Sequence, residues 1–441
     1  MAEEKKVELK TYLKYTCLNI LGMIGLSCYI LADTFFVSKG LGTNGLAALN
    51  FAIPVYNLIN GAGLMVAMGG ASMYSLLAYQ NKEKGNEIFS HAVFGVVCFA
   101  ILFMFVGIFG AGRLAALLGA SGTVHGMTQT YIRVVLLFSP AFMMNNVLIG
   151  FGRNEGRPEL AMLAMLCGSI FNIIFDYIFI FPMKMGILGA VLATGFSPIV
   201  GMSIMLTHYF SKKSNIKLSR VKIRGKIIGR ICSIGTGSLI TEVSAGIVMI
   251  IFNYLMLEKE GNTGVAAYGV IANISLVVIA IFNGMSQGLQ PLVSKAYGSG
   301  DGAKARKYLR YAVGNVLILG TLIYGAIFLG ANPIARIFNS ENNEKLQVLA
   351  VEGLKLYFIA TVFVGLNIIL SIYFSAAGKE TKGQMIAILR GFVLIIPLAF
   401  VMSAILGVTG IWLTLFMTEL FTFLTAVMVQ IFGSRRSMNR M

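Results

Sequence analysis

Charge is scarce in this chain. Of 441 residues only 12% are charged and only 18 are acidic, against 35 lysines and arginines. With 57% hydrophobic residues and a mean hydropathy of +0.81, that scarcity excludes an ordinary soluble protein. Five cysteines, Cys17, Cys28, Cys98, Cys167 and Cys232, are scattered through apolar runs without metal-type spacing, so they give no disulfide framework and read as inert packing residues. The three histidines, His91, His125 and His208, show no ligand spacing. Without a metal cluster or a nucleophile–base set, a membrane-embedded enzyme is disfavoured and no cofactor is expected. The charged start, MAEEKKVELK, leads into a full-length apolar run with no small-residue cleavage pattern, which reads as a cytoplasmic tail rather than a removable signal.

Long apolar runs dominate what remains. About 20 residues of helix cross the ~30 Å hydrocarbon core of a bilayer. Runs punctuated by Gly, Pro or charge predict spans near 11–37, 46–79, 88–110, 125–150, 160–182 and 187–210, then near 229–257, 264–297, 311–331, 346–376, 384–406 and 411–432. An even number of spans puts both termini on one side. Lys5, Lys6, Lys10 and Lys14 mark the tail, and Lys82, Lys84, Arg153 and Arg157 mark even-numbered loops. Lys212, Lys213, Lys217, Arg220, Lys222, Arg224, Lys226 and Arg230 crowd the central loop. Lys304, Arg306, Lys307, Arg310, Lys379, Lys382, Arg435, Arg436 and Arg440 complete the same side. The positive-inside rule makes that side cytoplasmic. The net charge of +17 is thus topology information, and no nucleic-acid partner is expected.

The chain also repeats. GLAALNFAIPVYNLINGAGLMVAMGGAS from Gly45 aligns without gaps to GVAAYGVIANISLVVIAIFNGMSQGLQP from Gly264, and the sixth and twelfth spans both begin G-x-x-G, at Gly186/Gly189 and Gly407/Gly410. Repeats of six spans insert in the same orientation. The expected fold is an all-α polytopic membrane protein, with twelve transmembrane helices in two pseudo-symmetric six-helix lobes. The lobes are assigned to 1–210 and 229–441, joined by a cytoplasmic linker at 211–228. The stretch IKLSRVKIRGKIIGRI reads as a basic amphipathic helix on the inner membrane surface, with a plain solvated loop as the alternative.

Three acids sit inside apolar runs: Asp33, Asp176 and Glu242. A carboxylate at mid-helix costs about 2.5 to 3.5 kcal/mol on insertion scales, so each should face a cavity, a partner or a cation. The topology puts Asp33 and Asp176 in the outer half of the first lobe. Tyr29 precedes Asp33 by four residues and Asn172 precedes Asp176 by four, so each pair shares a helical face. Thr194 in the sixth span completes a set of hard oxygen donors. Paired carboxylates in low dielectric repel, which lets one hold a proton near neutral pH. The same oxygens could coordinate sodium at Asp33, Asn172, Asp176 and Thr194 when both acids are ionised. The plainer reading makes each polar group a helix–helix hydrogen bond.

YILADTFFVSKGLGTNGLAALN, SIFNIIFDYIFIF, FGRNEGRPELAM and NGMSQGLQPLVSKAYGSGD together resemble the multidrug and toxic compound extrusion (MATE) family across nearly the whole chain. The resemblance implies that Tyr29, Asp33, Asn172, Asp176 and Thr194 form a cation- or proton-linked site of the N-lobe, and that Glu242 is an acid of the C-lobe. It also implies a multi-pass protein of a bacterial plasma membrane. The chain departs from the family in span ten, where TVFVGLNIILSIYF has no aspartate, and in span one, where Gly22 and Gly25 stand without a proline.

Met65, Met68, Met249 and Met285, with Glu242, are candidates for the substrate cavity, because flexible thioethers suit several amphipathic shapes; lipid-facing filler is the competing reading. Glu419 stands where the first repeat has Pro198 and could line the C-lobe cavity or make a structural pair. Arg133 and Arg390 read as snorkelling residues near span ends. The function expected is a cation-coupled antiporter, driven by H+ or Na+, that exports organic cations by alternating access among membrane lipids. The runner-up is a lipid-linked oligosaccharide flippase of the wider superfamily, which would suit a basic cavity. A sugar-type facilitator is third, and its G-x-x-x-D-R-x-G-R signature is absent.

Overall fold

The computed structural model describes residues 2–78, 82–211, 214–339 and 343–438, with side chains described from 6 to 430 in those ranges. The side chains of Lys5, Lys212, Lys213, Arg435, Arg436 and Arg440 lie outside what is described. The described residues form helices and no strand.

Spans one and two lie in Ala2–Ala78, which turns at Gly42. Span three is Lys82–Leu117. Span four combines Gly122–Leu137 with Ser139–Asn154, bent by 46° where Pro140 opens the second piece. Spans five and six are Pro158–Ile180 and Gly186–Tyr209. The second half repeats the plan. Gly225–Gly298 turns at Gly261 to give spans seven and eight, and Gly302–Phe338 is span nine. Glu344–Tyr357 runs on through a 3-10 turn into Thr361–Ala376 as span ten. Glu380–Ile388 and a π-turn, Leu389–Val393, lead into Ile395–Met438, which turns at Gly407 to give spans eleven and twelve.

The repeat is visible in the backbone. Gly42 and Gly261 take nearly identical conformations (φ 66°, ψ −158° and φ 64°, ψ −151°), and Gly186 and Gly407 match at φ 64° and 60°. Each pair is separated by about half the chain. Residues with a Cβ resist positive φ, so glycine at these turns lets two long helices reverse without a loop. The Tyr29 and Tyr56 hydroxyls, nearly equidistant from Gly42, meet at 2.9 Å and confirm the reversal.

Each half has its own apolar core, and the cores exchange end residues. Tyr12 of span one packs in the core of the second half, while Ile231 and Ile234 of span seven pack in that of the first. Spans two and seven cross backbone to backbone. A Cβ at Gly69 would stand 1.9 Å from the Ile231 carbonyl oxygen, and one at Gly235 would stand 1.8 Å from that of Met65. Small residues allow that approach in membrane bundles, where packing rather than water drives association.

The linker corrects an expectation. Residues 214–224 form no helix, and helix begins only at Gly225. Neighbouring side chains have taken the backbone donors a helix would need. Glu155 accepts from the N–H groups of Asn215 (2.7 Å) and Ile216 (3.1 Å), and from the Ser214 hydroxyl (2.9 Å). Asn86 accepts from Lys217 N–H at 2.9 Å, Ser90 from Ser219 N–H at 3.0 Å, and His91 Nε2 from Arg224 N–H at 3.0 Å. Ile216 is buried in the first core. The linker is thus an extended segment held by residues of the first half of the chain, not a helix.

Candidate ion and substrate sites

Asp33 and Asp176 are both buried, near the ends of spans one and five farthest from the face that carries the termini. Their carboxyl groups lie within hydrogen-bonding reach of one another. Oδ1 of each finds no N–H or O–H donor among the described residues. Two carboxylates in contact with orphan oxygens call for a proton or a cation between them.

The surroundings supply donors. With its amide nitrogen turned to the carboxylate, Asn172 donates to Asp176 Oδ2 at 3.0 Å, and its oxygen accepts from Thr194 N–H at 3.2 Å. The Thr194 hydroxyl donates to the Ala190 carbonyl at 3.1 Å and lies within reach of the Tyr131 hydroxyl. Of the sequence-predicted set, Asp33, Asn172, Asp176 and Thr194 therefore converge, while Tyr29, one turn from Asp33, turns its hydroxyl to that of Tyr56. Tyr56 and Tyr131 join it, from spans two and four. Neither was singled out in the sequence, because a tyrosine in an apolar run carries no spacing signal.

Glu242 stands apart from this cluster. Asn146 donates to Asn60 at 3.0 Å and Asn60 donates to Glu242 Oε2 at 3.2 Å, so an amide relay runs from span four through span two to span seven. Glu242 lines a cavity of about 60 Å³ together with Met68, Asn283, Gln287, Ser371 and Arg390. Drug-sized sites run to roughly 300–1,000 Å³, so this conformation holds a subsite there and not a whole organic molecule. Of the other methionine candidates, Met285 is fully buried in the second core and Met249 packs against that core. The Met65 carbonyl abuts Gly235 in the helix crossing. Only Met68 lines the cavity, since the other three fill helix contacts.

Arg390 corrects the snorkelling expectation, while Arg133 is exposed. Arg390 sits on the π-turn of span eleven and faces inward. Its Nε and Nη2 donate to Glu419 Oε1 at 3.0 and 2.6 Å, and Asn367 Nδ2 donates to Glu419 Oε2 at 2.7 Å. Glu419 is 1% exposed, so of its two readings structural pairing is the one the geometry carries. Asn367, in the span that lacks an aspartate, completes the pair. Gly22 and Gly25 seat span one against Met165 and Leu166 of span five, where they serve close packing within an unbroken helix.

A polar seam joins the lobes toward the face of the termini. Arg153 Nη1 donates to Asn19 at 2.9 Å and to Gln287. Asn154 Nδ2 donates to Gln290 at 2.9 Å, Gln290 donates to Ser72 at 2.8 Å, and Ser75 donates to Asn154 at 2.5 Å.

Residues 19–178 and 234–401, one block in each repeat, match the MatE family. The chain belongs to that family. It is a multi-pass membrane transporter and not an enzyme. It is 26% identical over 430 residues to the multidrug export protein MepA of Staphylococcus saprophyticus, covering 97% of this chain and 94% of that protein. To MepA of Staphylococcus aureus it is 24% identical over the same length. Among solved structures it is similar, with a TM-score of 0.90 and 24% identity over 97% of this chain and 96% of the other, to an outward-facing multidrug resistance MATE family transporter of the MOP superfamily. A MOP superfamily transporter from Pyrococcus furiosus, titled for the reverse polarity of its binding pocket, superposes with a TM-score of 0.89 over the same shares at 24% identity. These structures share the twelve-helix fold of the MatE chain.

Proposed function

We propose that this MatE chain is a proton-coupled multidrug exporter, exchanging H+ for organic, mainly cationic amphipathic compounds. The observation that carries the coupling is the contact of two buried carboxyls, Asp33 and Asp176, each with an orphan oxygen. The multidrug export named for the Staphylococcus relatives supports the cargo. Sodium is the less favoured ion. Span ten carries no aspartate for a second sodium site, and the Asn172 oxygen already accepts from Thr194 N–H.

Exchange follows from competition for one charge. A proton arriving from the outer side neutralises the Asp33/Asp176 pair and lowers the attraction for a cationic cargo, which leaves. Return to the inner side, loss of the proton and capture of new cargo complete the cycle. The two loads weaken each other by the same factor, as linkage requires. The lobes, 1–210 and 229–441, move as the two units, with both termini in the cytoplasm of a bacterial cell and the Arg153/Asn154 seam as the inner closure. The positive-inside pattern supports that orientation. With the seam made, the protein faces outward.

A flippase for anionic lipid-linked sugars would need a net positive cavity. The charge of Arg390 is balanced by Glu419, and Glu242 leaves the cavity net negative. The test is dye efflux from proteoliposomes under a pH gradient without sodium. Export there supports the reading; export only after adding a sodium gradient reverses the choice of ion.

A further inference from the structure

The cavity beside Glu242 carries charge of both signs. Glu242 enters it from span seven and Arg390 from span eleven, with Asn283, Gln287, Ser371 and Ser375 between them. A pocket built for apolar cations alone needs neither a guanidinium nor this many amides and hydroxyls.

The way Arg390 is held matters more than its presence. Guanidinium is a planar fork with five N–H donors and two edges able to grip a carboxylate side-on. Glu419 occupies the Nε/Nη2 edge. Nη1 has no hydrogen-bond partner among the described residues, yet it is not sealed from solvent. The π-turn Leu389–Val393, closed by Leu394 N–H on the Leu389 carbonyl at 2.9 Å, inserts an extra residue into the helix beside this side chain. Such bulges recur at functional sites because they re-aim a side chain. Asn367 fixes Oε2 of Glu419, and the guanidinium cannot swing away from the cavity without abandoning its three hydrogen bonds to that carboxylate.

We infer that Arg390, clamped by Glu419 and Asn367, is a specificity-determining residue whose open Nη1 edge takes the acidic group of a zwitterionic amphiphile while Glu242 faces its amine. This deepens, and rests on, the export reading of the same cavity. A pure cation compensates Glu242 and leaves the Nη1 donors without an acceptor. A zwitterion satisfies both, and once a bound ligand has shut water out of the cavity, a charged donor left without an acceptor is costly. The size fits: about 60 Å³ is room for a carboxylate group, with the ring system outside in the cleft between the lobes. Glu419 and Asn367 are positioning residues, acting through Arg390.

The experiment uses the full-length protein in detergent and a rhodamine dye in two forms, the cationic ethyl ester and the zwitterionic free acid. Binding is read by fluorescence anisotropy. The acid should bind about tenfold more tightly than the ester, the scale of one charge-assisted hydrogen-bond pair. Arg390→Gln combined with Glu419→Gln removes both charges of the clamp together and leaves no unpaired buried ion. In this variant the acid-to-ester ratio should fall to about one. Arg390→Lys, which keeps the charge and loses the fork, should give an intermediate ratio. An unchanged ratio in either variant, or no preference for the acid in the unaltered protein, overturns the proposal. The ratio is read at equilibrium with no ion gradient, so failure of ion-driven export and failure of this subsite are told apart.

Discussion

Arg153 of span four reaches across the lobes to Gln287 of span eight, a guanidinium meeting a neutral amide where a carboxylate would be the stronger partner. Arg153 is 2% exposed, its second acceptor is Asn19, and its Nε has no partner among the described residues. A buried cation satisfied only in part makes a closure that can open. Removing one member of a buried ion pair costs about 3 to 5 kcal/mol, whereas neutral acceptors hold the charge more weakly.

Gln287→Glu, which gives Arg153 a carboxylate on the opposite lobe, should therefore lock the seam. Spin-label distances between the two lobes, measured at the face of the termini, should narrow to one short population. Dye efflux should slow by about tenfold or more. A distance distribution as broad as that of the unaltered protein would remove the seam from the account of gating.

The crossing of spans two and seven leaves no space for a side chain. Gly69→Ala or Gly235→Ala places a methyl group within 2 Å of a carbonyl oxygen. Overpacking of this kind costs about 1 to 3 kcal/mol. Both variants should melt at lower temperature in detergent, and Gly225→Ala, with nothing within 4 Å of the added carbon, should not.

Glu155 anchors the linker through two backbone N–H groups and the Ser214 hydroxyl, and also bonds His208 Nε2 at 2.8 Å. Glu155→Ala strips these acceptor sites and should free the linker backbone, so that trypsin cleaves at the exposed Lys217, Arg220, Lys222 and Arg224 several-fold faster. Glu155→Gln keeps one acceptor oxygen and should lie between the two. Equal cleavage rates in all three proteins would mean that the linker is held by other contacts, such as the burial of Ile216.

The helices were legible because membrane insertion demands long apolar runs, and the pseudo-symmetry was legible because Gly45 recurs as Gly264 and Gly186 as Gly407. Asp33 and Asp176 stood out for the same reason, since few carboxylates survive in such runs. Tyr56 and Tyr131 did not, because tyrosine is at home at helix contacts and only the folded arrangement brings their hydroxyls to Tyr29 and Thr194. Arg390 and Glu419 lie in different spans, 29 residues apart, and each alone reads as a snorkelling or interfacial group. The linker misled through its basic periodicity: the acceptors that unwind it, Glu155, Asn86, Ser90 and His91, come from elsewhere in the chain.

Glu242 carries the unbalanced charge of the cavity. Glu242→Gln keeps the acceptor for Asn60 and removes that charge, so binding of the ester dye should weaken by roughly three- to tenfold, as expected for one partly screened charge pair. Affinity for the ester within the error of the unaltered protein would point to a purely apolar pocket.

The central claim is that protonation of the Asp33/Asp176 pair and binding of cargo weaken each other. The most direct measurement is proton release on binding. The detergent-solubilised protein, in weakly buffered solution near neutral pH and without sodium, is titrated with the cationic ester dye while pH is recorded. The account predicts release approaching one proton per dye bound. It also predicts that release is lost in both Asp33→Asn and Asp176→Asn but retained in Glu242→Gln once the dye saturates. Saturating binding with no proton release, or release undiminished in both aspartate variants, would contradict it.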